Sequence, residues 1–342
     1  MENKIFNEEG INLENYGLNK EILRNKDNFY IGRIVTQHRS YYRVITEKGE
    51  VIGKVSGKLI FELNNKEHFP AVGDWVYIDI VDGVNGVIHE ILPRRTTLCR
   101  KVPGAKSDEQ ILATNIDKVF ITMSLNNNFN VRRLERYINI GWDSGATPII
   151  LLTKADLALD SEEKIQEAQE VALGVEIITV SSFTGYGVEK VKEHINKTDT
   201  VVFIGSSGVG KSTLINKLLG EEVLLTKEVD EYDKGRHTTT HRELFLLHEG
   251  GIVIDTPGMR ELQLSTGDLE STFADIEDLA TQCRFSDCSH KAEPHCAIKK
   301  AIEEGILEEE RFKSYERLKR EIKNGEIRRR AKERVKEKKH KR

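Results

Sequence analysis

Gly205-Ser206-Ser207-Gly208-Val209-Gly210-Lys211-Ser212 is the stretch on which the rest of the chain turns. It matches G-x-x-x-x-G-K-[ST] at every fixed position. It lies between an apolar strand, Val201-Val202-Phe203-Ile204, and a helix-forming run, Ser212-Thr213-Leu214-Ile215-Asn216-Lys217-Leu218-Leu219. Glycines so placed let successive backbone N–H groups turn inward around phosphate oxygens, and the start of the helix adds positive potential. Lys211 is then positioned to neutralise β- and γ-phosphates and Ser212 to ligate Mg²⁺, with Gly205 to Thr213 forming the cradle. A strand, a phosphate-binding turn and a helix in this order predict an α/β fold.

Two other strand ends carry matching chemistry. Ile252-Val253-Ile254-Asp255-Thr256-Pro257-Gly258 closes on D-x-x-G, where Asp255 can hold the magnesium through water and the Gly258 N–H can meet the γ-phosphate. Leu151-Leu152-Thr153-Lys154-Ala155-Asp156 ends on a carboxylate that can accept from guanine's ring N–H and exocyclic amine, a donor pair adenine lacks. Asp156 therefore selects guanine, with Thr153, Lys154 and Ala155 beside it and Ser181-Ser182 closing the next strand. Between the phosphate loop and D-x-x-G lies Gly235-Arg236-His237-Thr238-Thr239-Thr240-His241. One threonine should complete the Mg²⁺ shell in the GTP state: Thr239 is the first choice, Thr238 the second, and Thr240 stays open. Met259 follows Gly258, where Ras-like enzymes place the glutamine that orients water. A thioether cannot polarise water, so turnover should be slow alone and completed by a partner or by a histidine, His237 or His241.

Outward from these motifs, six candidate strands between 118 and 255 alternate with amphipathic helices, as one mainly parallel α/β domain requires. The base-reading elements at 153 and 181 precede the phosphate loop, whereas P-loop GTPases ordinarily run the other way. A single circularly permuted domain accounts for this order. Upstream, Phe29–Thr46, Val51–Ile60, Asp74–Val81 and Gly86–Leu92 are short β-rich runs that predict a small OB-like barrel, followed by an Arg94–Thr97 linker and a polar loop near 103–110. The expected organisation is a multidomain α/β chain: an arm at 1–28, the barrel at 29–103, the permuted GTPase domain at 112–266, and a zinc-binding helical domain with a basic helix at 267–342.

The last of these rests on Cys283, Cys288, His290 and Cys296, spaced C-x₄-C-x-H-x₅-C. Three thiolates and an imidazole make a closed tetrahedral set for one structural Zn²⁺. His295 is the weaker fourth ligand because its neighbour Cys296 is already committed, and Cys99 is a spare thiol. A reducing compartment disfavours disulfides. No apolar run reaches the ~18 residues of a membrane helix, and no secretory pattern opens the chain, so a cytoplasmic protein without membrane contact is expected.

The motif order T-K-x-D, S-S, G-x-S-G-V-G-K-S, G-R-H-T-T-T, D-T-P-G, flanked by a small barrel and a Cys/His cluster, resembles the ribosome small subunit-dependent GTPase A family. The resemblance covers about residues 29–300. It implies an OB-fold, a permuted G domain and a zinc domain, GTP/GDP and Mg²⁺ as ligands, and late maturation of the 30S subunit with hydrolysis stimulated by that subunit. The alternatives are an RNA-binding assembly factor in which nucleotide is only a structural switch, and a signalling or tRNA-related GTPase.

Charge bears on the partner. The whole chain carries −4, which alone suggests indifference to nucleic acid. From Arg311 onward, however, 16 Lys/Arg face 5 Asp/Glu, a net +11 that leaves −15 on the first 310 residues. Such a run is either a solvated helix end or a surface that releases counterions by binding phosphates, and beside an RNA target, 16S rRNA, the second reading is the better one; a monomer is expected. In the barrel, Tyr41, Tyr42 and Trp75 are either core or a stacking surface, with Arg33, Arg39, Arg43, Lys54 and Lys58 expected to flank it.

Overall fold

The computed structural model describes residues 10–19, 23, 28–63, 69–101, 109–157, 161–224, 242–256, 268–291 and 293–340. Strands β1 (Tyr30–Gln37), β2 (Tyr42–Thr46), β3 (Gly49–Val55), β4 (Trp75–Ile80) and β5 (Asn85–Ile91) follow the order β1-β2-β3-β5-β4, and β4 pairs back on β1 to close a barrel. Alternation drives it: Ile34, Val44, Val51, Val76, Ile78 and Ile88 all point inward. The run Val51–Ile60 is not one strand. Ser56 accepts from the Leu59 N–H at 3.1 Å and caps helix α1 (Gly57–Glu62), which buries Leu59 against the barrel.

The expected linker holds at 94–96 and most of the expected polar loop lies outside the described residues; around it β6 (Thr97–Lys101) and β7 (Glu109–Thr114) form an antiparallel pair that the sequence reading does not include. Leu98, Leu112 and Ala113 are buried beneath it. Charged residues in Cys99-Arg100-Lys101 mask the strand pattern in the sequence, and Arg100 is held across the pair by Gln110 at 3.0 Å.

The α/β sheet is built from β8 (Lys118–Ser124), β9 (Thr147–Thr153), β10 (Glu176–Thr179), β11 (Thr200–Ile204), β12 (Glu243–Leu246) and β13 (Ile252–Asp255). Their order is β10-β9-β8-β11-β13-β12, parallel throughout except for antiparallel β12. Helices α2 (Val131–Asp143), α3 (Ser161–Val171), α4 (Val188–Glu193) and α5 (Lys211–Leu219) cover its faces. The central strands are buried on both sides, which is why they read as continuous apolar runs.

Thr36 on β1 bridges to Glu243 on β12, so barrel and α/β sheet run into one another. This junction uses two of the arginines expected to flank an RNA surface. Arg43 ion-pairs with Glu50 at 2.6 Å and Glu243 at 2.7 Å. Arg33 is 1% exposed, donates to Gly73 O, Asn115 O, Thr200 Oγ1 and Tyr16 O, and lies over the Trp75 ring. It is a core residue of the junction and cannot reach a nucleic acid. Trp75 and Tyr42 are buried as well, while Tyr41 stacks on His38.

Four helices follow: α6 (Leu269–Thr272), α7 (Ala274–Thr281), α8 (Ala297–Glu303) and α9 (Glu309–His340). They are fastened to α2 by a buried ion cluster. Glu135, 0% exposed, accepts from Arg132 at 2.7 Å, Arg311 at 3.0 Å and Ser314 at 2.6 Å, and Arg311 also grips Asp275 with two bonds of 2.8 Å. Arg136 pairs with Glu321 at 3.0 Å. Beyond Ile322 none of the α9 side chains whose burial is described is buried, and the helix runs on for 18 residues to His340, about 27 Å at ~1.5 Å per residue, with a basic sequence. Among the described residues no helix is long and apolar enough to cross a membrane.

Candidate GTP site and metal centre

The phosphate loop takes the shape its glycines permit. Gly205 has φ +146°, and a Cβ there would sit 2.3 Å from the Thr122 carbonyl oxygen, so no larger residue fits against β8. Gly210, at φ +98°, opens α5 without a side-chain cap, which leaves the helix's first N–H groups directed into the loop. Lys211 donates to the carbonyls of Gly205 and Ser206, both at 2.7 Å. Burial pulls its ammonium down to about 8, with Asp255 opposing. The Asp255 carboxyl is itself pushed up to about 6 by burial, against the pull of Lys211. A largely buried cation and anion that act on each other electrostatically are the groups that a phosphate and its Mg²⁺ would re-pair.

Asp156 lies in a short turn, Ala155–Leu157, that follows β9 through Lys154 in the left-handed conformation at φ +58°. Ser181 donates to Asp156 Oδ1 and accepts the Thr184 N–H at 3.1 Å, which fixes the carboxylate against the loop after β10. A cavity of about 350 Å³ opens here, lined by Ala155, Asp156, Ser181, Thr184 and Tyr186 together with Ile165 of α3. Thr153 is 2% exposed, and its hydroxyl bonds the Val209 carbonyl at 2.6 Å. What it gives the site is the join between the base loop and the phosphate loop. Ser182, Ser207, Gly208, Ser212 and Thr213 remain partly or fully open to solvent around this edge. His237, Thr238, Thr239, Thr240, His241, Gly258 and Met259 lie outside the described residues.

A residue not suggested by any motif also reaches the loop. Tyr137 of α2, 1% exposed, has its hydroxyl 3.3 Å from Ser206 Oγ. In the sequence it is one more large residue on an amphipathic helix, and only a polar tip on a core position hints at a partner.

The second centre lies between α7 and α8. The candidate ligand atoms of Cys283, Cys288, His290 and Cys296 all fall within 4.8 Å of one another. Cys283 Sγ is 3.9 Å from Cys296 Sγ and 3.6 Å from His290 Nδ1, and Cys296 Sγ is 3.4 Å from His290 Nδ1. A tetrahedral ion with Zn–S of ~2.3 Å and Zn–N of ~2.0 Å sets edges of ~3.8 Å and ~3.5 Å, so the donor set fits zinc. Glu293 accepts from the N–H groups of Ser289 at 3.0 Å and Lys291 at 2.9 Å and so holds the turn in which His290 takes a positive φ. The His290 ring meets Phe312 of α9 edge-on at 5.9 Å.

A G-x-x-x-x-G-K-S loop, a T-K-x-D turn and a strand that ends on D-x-x-G, all on one sheet and with the T-K-x-D element first in the chain, define a circularly permuted GTPase. Residues 91–265 match the family described as RsgA GTPase. Over 316 residues the chain is 50% identical to "Small ribosomal subunit biogenesis GTPase RsgA 2" of Lactiplantibacillus plantarum, covering 91% of this chain and 90% of that one. The corresponding protein of Oceanobacillus iheyensis is 46% identical, with 90% of each chain covered. Among solved structures, YjeQ from Thermotoga maritima superposes with a TM-score of 0.63 at 27% identity, covering 86% of this chain and 98% of its own. The circularly permuted GTPase YloQ superposes at 0.60 and 26% identity, covering 88% and 98%. The chain belongs to the RsgA GTPase family.

Proposed function

We propose that this GTPase acts in late maturation of the small ribosomal subunit, docking on 16S rRNA in the GTP state and leaving after hydrolysis. The observation that carries the proposal is that the sheet bearing the nucleotide motifs runs into the barrel at β12, while α2, whose Tyr137 meets the phosphate loop, anchors the basic helix. The names of its relatives, which describe small ribosomal subunit biogenesis, support the same reading.

In this reading GTP·Mg²⁺ is bound through Lys154, Ala155, Asp156, Ser181 and Ser182 at the base and Gly205–Thr213 at the phosphates. Lys211 leaves the Gly205 and Ser206 carbonyls for the β- and γ-phosphates. Ser212 and Thr239 would ligate the magnesium with Asp255 as its water-mediated support, and the Gly258 N–H would meet the γ-phosphate. The ion supplies charge neutralisation at the transferring phosphoryl group. No glutamine follows Gly258, so the 30S subunit completes the site or brings His237 into it. Cys283, Cys288, His290 and Cys296 hold one zinc, which contributes folding energy and no open coordination position. The protein works in the cytoplasm as a monomer.

GTP turnover measured with 30S subunits, 50S subunits and neither tests the proposal. Strong stimulation by 30S alone is expected, and equal rates in all three would remove the ribosomal assignment.

A further inference from the structure

We infer that Tyr137 is a positioning residue for GTP: through its hydroxyl contact with Ser206, helix α2 holds the first turn of the phosphate loop in the conformation that presents Lys211. The inference rests on Lys211 as the phosphate ligand proposed above.

Three observations carry it. The Tyr137 and Ser206 hydroxyls are 3.3 Å apart, and Tyr137 is 1% exposed, so little solvent is at hand to replace the bond. Ser206 is also the residue whose carbonyl, with that of Gly205, holds the Lys211 ammonium at 2.7 Å. Fixing Ser206 therefore fixes the point from which the lysine departs when a phosphate arrives. Finally, α2 is a rigid support. Asn130 Oδ1 caps it by accepting the Arg133 N–H at 2.8 Å, and its outer face is held by the Glu135 cluster and by Asn139, which donates to Thr272 at 3.2 Å. A tyrosine on such a helix presents its hydroxyl at a constant height under the loop, whereas a loop residue would move with it.

The contact is a pair of neutral hydroxyls, so its removal should be felt at the level of one buried hydrogen bond. Tyr137→Phe keeps the ring and its packing. Equilibrium titration of the full chain with GTP should show affinity falling about two- to tenfold. Ser206→Ala should produce a loss of similar size, and the double variant should bind no worse than the weaker single, because both changes delete one bond. Competition by guanosine, which has no phosphate, should be equal for wild type and Tyr137→Phe, and the melting temperature should fall by no more than about 2 °C, the cost of one hydrogen bond. A purely structural role for Tyr137 would lower guanosine binding along with GTP binding. Wild-type GTP affinity in Tyr137→Phe would overturn the inference, as would losses that multiply in the double variant or an equal loss of guanosine binding. A wild-type protein that binds no GTP would instead overturn the site as a whole.

Discussion

Replacing Glu135 by glutamine tests how the C-terminal helices are held on the GTPase domain. The carboxylate is 0% exposed and receives Arg132, Arg311 and Ser314 within 3.0 Å. Glutamine keeps the shape but removes the charge, leaving Arg311, only 6% exposed, with Asp275 as its remaining ion-pair partner in this cluster. Breaking one side of a buried pair costs about 3–5 kcal/mol. For 342 residues unfolding together, an entropy of ~2.1 cal/mol/K per residue gives about 0.7 kcal/mol per degree, so the transition should fall by about 4–7 °C. Scanning calorimetry measures the shift, and hydrogen exchange locates it: protection should drop in α6 to α9 before it drops in the barrel. Replacing the pair by apolar residues, Glu135→Leu with Arg311→Met, should recover most of the loss. An unchanged transition in Glu135→Gln, or exchange that rises equally everywhere, would refute the view that this cluster fastens the domain.

Four further outcomes follow from the two centres. Because the Lys211 ammonium sits at about 8 without phosphate and must be charged to bind it, GTP affinity should fall about tenfold between pH 7 and pH 9; Lys211→Arg, whose cation does not titrate there, corrects for titration of the ligand itself. The same lysine binds a proton more weakly folded than unfolded, so its contribution to stability of the nucleotide-free protein rises from pH 8 upward, and the raised Asp255 contributes less as pH climbs from about 4 to about 6. Both windows can be read from chemical denaturation against pH. Asp156→Asn should lose GTP binding by at least about a hundredfold and gain xanthosine triphosphate, whose C2 carbonyl accepts from an amide, as competition assays would show. Cys288→Ser should lose the zinc in metal analysis and His295→Ala should keep it, with exchange increasing at the Phe312 end of α9 only in the first.

What could be read from the sequence was whatever depends on local rules. The phosphate loop lies where spacing placed it, and α5 runs from Lys211 to Leu219 as its apolar pattern requires. β8 and β13 likewise keep the limits their apolar runs suggest. The four-residue Cys/His set converges because a tight turn leaves it little alternative. The misreadings share a different cause. Arg33 is a charged residue on a strand, and nothing in one strand's pattern tells whether the facing surface is water, an RNA or another sheet. Its partner Thr200 is 167 residues away. Tyr137 and Glu135 were silent for the same reason: a helix's period shows which face is apolar but not which polar tip meets a loop 69 residues on. The hairpin of β6 and β7 was hidden by its charged residues, and α1 by a β-rich run that one capping serine ends.

Arg33 also bears on how far this molecule can be taken apart. Of its hydrogen-bond acceptors, Gly73 belongs to the barrel, Tyr16 to the N-terminal arm, Asn115 to the segment after the hairpin and Thr200 to the strand that enters the phosphate loop. A barrel produced by itself would keep the arginine and lose three of those four acceptors. Burial in the whole chain pulls the guanidinium down to about 10, and the isolated barrel would leave it without the neighbours that enclose and bond it. The parts that look like beads on a string are thus not interchangeable cassettes. A graft between relatives would have to carry the arm, the barrel, the hairpin and the first half of β11 together.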